Sequence, residues 1–134
     1  MDGFHAVPGT AVVEPLREEA SKFTTEPYLL TVDGEHRPHC ITTSITWREA
    51  RIIVRAPSEW NASEAAGHKD VSLLWPPAET GGYSLIVDGV ADACWVADEM
   101  MLMIDPTRAV LHRAGRASDP GSSCSSDCVS ILPC

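Results

Sequence analysis

Three stretches of this chain carry side chains whose types and spacing could do chemistry. The first is Thr42-Thr43-Ser44, three consecutive hydroxyls. Each can donate to, or accept from, the polar edge of a ligand. The second runs from Arg55 through Ser58, Trp60 and Asn61. Arg55 offers a fork-shaped cation for carboxylate or phosphate. Ser58 stands where a helix would begin, and a helix N-terminus favours anions. Trp60 could stack on a flat ring. The third is Cys124, Cys128 and Cys134, spaced C-x3-C-x5-C. Three thiolates could hold a soft metal such as Cu(I) or Zn, form a transient disulfide under oxidation, or have no defined role. The spacing is not the C-x2-C pair of a zinc site.

Each stretch also has a plainer explanation. A β-strand with one wet face accounts for Thr42, Thr43 and Ser44, and Arg55 could simply end an exposed strand. Ser58 could be only an N-cap. Trp60, like Trp47, Trp75 and Trp95, could fill a core or a dimer interface. Cys40 and Cys94 fall in β-like segments and read as small core hydrophobes. None of the five histidines, His5, His36, His39, His68 and His112, is spaced for a helical metal site, and no G-x-S-x-G, Walker or G-x-G-x-x-G motif occurs. Catalytic residues are therefore not identifiable from motif.

Composition sets the class. The 134 residues suit one globular domain, with 44% hydrophobic and 22% charged residues. The net charge is −9, and Lys occurs only at Lys22 and Lys69. A surface that tracks phosphates needs clustered Lys and Arg, so nucleic acid and anionic membrane are not expected partners. No apolar run reaches the roughly 20 residues of a membrane helix, and the first residues lack the pattern of a secretory signal. The expected compartment is the cytoplasm, where thiols stay reduced. Five cysteines, an odd number, cannot form a complete internal disulfide framework.

The elements that must position these residues are mostly strands. Residues 1–15 read as an irregular lead-in, with a short helix possible over Glu14–Phe23. Tyr28–Val32 is β-rich and stops at Asp33-Gly34. His39–Trp47 alternates, and Arg51–Arg55 follows a short connection, so the three form an antiparallel meander. A short helix is expected over Glu59–Ala66, between strands three and four. Val71–Trp75, Tyr83–Trp95 and Met100–Ile104 complete six strands, and Asp88-Gly89 marks a bulge or barrel corner in the fifth. The expectation is a mainly β, six-stranded antiparallel split barrel over residues 16–114, then a flexible Ser-, Gly- and Cys-rich tail over 115–134.

In that order, the segments YLLTVDGEHRPHCITTSITW, RIIVRAPSEWNA, VSLLWPP and YSLIVDGVADA resemble the FMN-binding split-barrel family of pyridoxamine 5'-phosphate oxidase-like proteins. The resemblance spans roughly residues 16–113 and consists of several short motifs in sequence. It implies a homodimer that binds FMN, or alternatively F420 or haem, and an oxidoreductase that moves a hydride to or from a small organic substrate. It places Thr42, Thr43 and Ser44 beside the ring, and Arg55, Ser58, Trp60 and Asn61 beside the phosphate. Glu59 stands where family members often carry Lys or Arg. The alternative function is non-enzymatic: a dimeric barrel binding Cu(I) or Zn through Cys124, Cys128 and Cys134.

Overall fold

The structure is a computed structural model that describes residues 6–55, 69–114 and 126–132. Among these lie one helix, α1 (Ala6–Ala20), and eight strands: β1 (Tyr28–Val32), β2 (Pro38–Thr42), β3 (Ile45–Arg48), β4 (Arg51–Arg55), β5 (Asp70–Trp75), β6 (Ser84–Val96), β7 (Glu99–Ala114) and β8 (Ser126–Leu132). They form one antiparallel sheet in the order β2-β1-β5-β6-β7-β4-β3, with β8 on β7. Among the described residues no ladder joins the two ends of that order, so the fold is mainly β and barrel-like without being closed.

There are eight strands instead of six for two reasons. The alternating run expected as one strand is broken: β2 ends at Thr42 and β3 starts at Ile45. β2 pairs with β1 at one edge of the sheet, and β3 pairs with β4 at the other. Thr43 and Ser44 thus carry the chain across the open seam. The alternation survives the break, and for that reason the sequence pattern does not reveal it. The second extra strand is β8, within the stretch expected to be a flexible tail. It pairs with the C-terminal half of β7, and Leu132 is buried in the core.

The helix also begins earlier than expected. Residues 6–15, read as irregular, belong to α1, and Pro15 lies inside the helix. An interior proline removes one ladder hydrogen bond. Burial offsets that cost, because Val13, Leu16 and Ala20 form one buried face at a spacing that puts them along a single helical stripe. The helix expected over Glu59–Ala66 lies outside the described residues.

The core is filled by inward residues of every long strand. Leu29, Ile52, Val54, Leu73, Leu85, Val87, Leu102 and Ile104 are all essentially inaccessible, and Leu16 of α1 packs with them. Full burial of such side chains stabilises by about 1.5–3 kcal/mol each. Two residues expected in the core are not there: Cys40 is exposed and Cys94 is only half-buried. Both are positioned on the outer alternation of their strands, where thiol size gives no advantage. Trp75 is buried, whereas Trp95 is 69% exposed at the tip of the β6–β7 hairpin.

The expected corner at Gly89 is a bulge. Asp88 pairs with Arg108, but Gly89 pairs with Pro106, so Thr107 is the extra residue on β7. The Thr107 hydroxyl donates to the Asp88 carbonyl at 3.2 Å. The bend turns the second half of the β6–β7 ribbon toward β4.

Candidate functional site

The seam and the strands beside it build a pocket of about 680 Å³, lined by Glu26, Thr42, Thr43, Ser44, Thr46, Ile53, Arg55 and Met101. Its size is that of sites for small ligands and cofactors. β4 explains the apolar floor. Ile52 and Val54 point inward, so Ile53 and Arg55 point out. Arg55 is registered against Met101, and Ile53 against Thr46, which puts all four on one face. The hydroxyls arrive from the crossing segment. Among the described residues the Thr43 hydroxyl makes one long bond, 3.4 Å to the Ser44 carbonyl, weak enough to exchange for a ligand.

The structure therefore brings together four of the residues singled out in the sequence: Thr42, Thr43, Ser44 and Arg55. Ser58, Trp60 and Asn61, with Glu59, lie outside the described residues. Sequence reasoning missed Glu26, Thr46, Ile53 and Met101. The signal for Ile53 and Thr46 was present, since each sits two positions from a named residue on the same strand face. Met101 and Glu26 reach the pocket only through tertiary pairing.

Electrostatically the pocket is mixed. Arg55 is its single cation among the described residues, and its guanidinium lies 3.4 Å from a Glu99 carboxylate oxygen. Both side chains are well exposed, so the pair is weak and exchangeable. Glu26 adds a carboxylate at the rim.

A second pocket of about 300 Å³ lies on the other side of β3, lined by Arg17, Ala20, Ser21, Phe23, Thr24, Thr25, Glu26, Ile45, Trp47 and Trp75. Alternation divides the two. Ser44 and Thr46 face the first pocket, Ile45 and Trp47 the second, and Glu26 borders both.

The thiol cluster is not assembled by what the structure describes. Cys128 is exposed on β8, registered against His112, while Cys124 and Cys134 lie outside the described residues. Among the described residues no group of three or more His, Cys, Asp or Glu could hold a metal ion. No helix among them is long and apolar enough to cross a membrane.

Comparison with known proteins gives the following. No family model matches the chain. Two mycobacterial proteins, the uncharacterised protein Mb0449c of Mycobacterium bovis and the uncharacterised protein MT0457 of Mycobacterium tuberculosis, are each 35% identical over 116 residues, covering 76% of this chain and 82% of theirs. Among solved structures, a Clostridium acetobutylicum protein related to general stress protein 26, of the pyridoxinephosphate oxidase family, superposes with a TM-score of 0.60 at 8% identity, covering 92% of this chain and 96% of that one. A heme-binding protein of Mycobacterium smegmatis gives 0.59 at 13% identity, covering 90% of this chain and 58% of that one. HutZ, the heme storage protein of Vibrio cholerae, gives 0.54 at 17% identity, covering 70% and 89%. At those identities the solved structures speak to the fold alone. The chain belongs to the family of the two mycobacterial proteins, and its fold is the split-barrel type of the pyridoxamine-phosphate-oxidase-like proteins.

Proposed function

We propose that this chain binds a flavin or deazaflavin, FMN or F420, in the outer pocket at the seam, and acts as a homodimeric oxidoreductase on a small organic substrate. The observation that carries the reading is the convergence of Thr42, Thr43, Ser44 and Arg55 on one pocket with an apolar floor of Ile53 and Met101. The donor set suits such a group. A flat heteroaromatic ring has apolar faces and a polar edge. Ile53 and Met101 match the faces, and the hydroxyls of Thr42, Thr43 and Ser44 match the edge. Arg55 matches a phosphate, provided that it exchanges Glu99 for it.

When bound, the isoalloxazine or deazaflavin ring supplies the hydride chemistry. The chain's own residues bind and orient. The seam hydroxyls fix the ring edge, the strand face excludes water from one side of the ring, and Arg55 neutralises the anionic tail. Glu26, on the rim of both pockets, is the acidic side chain placed to take or give a proton at a substrate. Dimerisation would cover the exposed edges that β2 and β3 present at the ends of the sheet.

The test is the absorbance spectrum of the purified protein, as isolated and after dialysis with excess FMN or F420. A retained flavin or deazaflavin band that weakens in Thr43→Val and Arg55→Gln supports the reading. A protein that takes up neither cofactor at micromolar concentration refutes it. A second reading, haem, draws on the heme-binding and heme-storage proteins among the solved structures of this fold. Met101 lines the pocket and carries a thioether able to ligate haem iron. A Soret band lost in Met101→Leu would favour haem over flavin in the same experiment.

A further inference from the structure

We propose that the inner pocket behind β3 is a separate binding site for a small planar aromatic carboxylate, with Arg17 as its counter-charge. This inference stands independently of which cofactor, if any, occupies the outer pocket.

Three observations converge on that chemistry. The first is shape and lining. A cavity of about 300 Å³ is walled by Phe23, Ile45, Trp47 and Trp75, a space for one or two fused rings and a short side chain, not for a dinucleotide or a peptide. The walls are held firm, because Trp75 is itself core and Phe23, Ile45 and Trp47 pack against the core. Aromatic faces that are already immobilised bind a flat ring without a further ordering cost.

The second is charge. In this acidic chain six of the nine described Lys and Arg side chains have a described acidic partner. Arg37 contacts Asp33 and Glu35, Arg51 contacts Asp105, Arg55 contacts Glu99, Lys69 contacts Asp92, Arg108 contacts Asp88 and Lys22 contacts Glu19. Arg17, the cation that lines this pocket, forms no ion pair with any described residue. A guanidinium beside an aromatic slot is the arrangement that recognises a carboxylate on a ring.

The third is the state of the polar rim. The end of α1 would normally present free carbonyls, which repel an anion. Here Ser21, Lys22 and Phe23 donate their backbone N–H groups to Arg17, Glu19 and Ala20 carbonyls. The Ser21 hydroxyl donates to the Glu18 carbonyl at 2.6 Å. The last carbonyls of α1 thus have partners, and Arg17 is the one cation among the described residues that line the pocket. Glu26 also lines the pocket and repels an anion beside it, so the carboxylate would lie toward Arg17 and the ring against the aromatic and apolar walls.

The test uses the full chain and isothermal titration calorimetry with indole-3-acetate, its uncharged amide indole-3-acetamide, and cyclohexylacetate. The expected result is saturable binding of indole-3-acetate, with both other probes at least about tenfold weaker. Arg17→Gln is expected to weaken the acid about tenfold and leave the amide unchanged, as expected for loss of one charge-assisted contact. Arg48→Gln removes a cation from β3 outside the pocket and is expected to change neither. Trp47→Ala should weaken acid and amide together, with its melting temperature measured alongside to show that it folds. Absence of binding at millimolar ligand, equal affinity for acid and amide, or an Arg17→Gln protein with unchanged affinity for the acid would each overturn the proposal.

Discussion

Replacing Gly89 with alanine tests whether the bend that aims β7 at the outer pocket is as tightly built as it looks. A Cβ at this position would lie 2.6 Å from Ile104 Cγ2 and 2.7 Å from the Asp105 carbonyl oxygen. Ordinary carbon contacts fall near 3.5–4.0 Å, so both neighbours must retreat by the better part of an ångström. Neither is free to do so. Ile104 is a buried core side chain, and Asp105 is backbone inside the paired β6–β7 ribbon. Overpacking of this kind costs about 1–3 kcal/mol, and the upper half of that range applies when backbone and core must both move. For a domain of this size each kcal/mol lowers Tm by about 3–5 °C, so Gly89→Ala should melt about 8–12 °C below the parent. Gly34 is the internal control, because nothing lies within 4 Å of a Cβ built there, and Gly34→Ala should stay close to the parent value. Thermal and urea unfolding followed by circular dichroism read both variants. A Gly89→Ala protein melting within about 2 °C of the parent would mean that the ribbon relaxes freely and that the bulge does not hold β7 in place.

Three further expectations follow from the same geometry. Glu99→Gln releases Arg55 from its exposed ion pair, worth about 0.5–1 kcal/mol, and should tighten FMN binding about two- to fivefold by fluorescence titration; unchanged affinity would remove Arg55 from the phosphate role. Leu16→Ala opens a cavity between α1 and the barrel and should cost about 2–4 kcal/mol in urea unfolding, whereas a loss under about 1 kcal/mol would mean that α1 does not dock on the core. The Asp33 carboxylate is held well below the usual carboxylate range, first by His39 at 2.9 Å and then by the Arg37 backbone N–H. A depressed carboxyl stabilises the fold above its unfolded value, near 4, and that contribution is lost as pH falls further toward strong acid. The Tm gap between the parent and Asp33→Asn should therefore be present at pH 6 and narrow below about pH 4; a gap that does not change with pH would count against the pairing.

The parts of the fold that could be read in the sequence are those specified locally. The Asp33-Gly34 turn is one: the Asp33 carboxylate accepts the N–H groups of Glu35 and Arg37, chemistry that a turn-forming Asp announces. The Gly89 corner is another, because a glycine inside a long β run has few other reasons to be there. What was hidden was specified by pairing partners far away in the chain. His39–Trp47 keeps its period of two through Thr43-Ser44, and only competition between β1 and β4 for its two halves shows that it must split. β8 was masked by composition, since Ser and Cys dominate its segment and the burial of Leu132 depends on α1 and β7. In the outer pocket, Thr42, Thr43, Ser44 and Arg55 were found from residue type, but Met101 is there by a register that no local pattern encodes.

The split of that one strand also explains why two pockets occur where they do. A continuous strand would leave one edge of the sheet pairing with the next, with its backbone donors and acceptors satisfied and no gap for a ligand. Breaking it at two hydroxyl residues leaves β3 as an edge strand with one face to the core side and one face outward. Alternation then does the rest: the even positions, Ser44 and Thr46, give the outward pocket its polar wall, and the odd positions, Ile45 and Trp47, give the inner pocket its apolar wall. The two sites are one strand thick apart, and Glu26 borders both. A displacement of β3 by a ligand on one side therefore moves a wall of the other, since β3 pairs along one edge only, whereas β4 is paired on both. β3 is the shortest of the described strands, and it is the one that carries side chains into both sites.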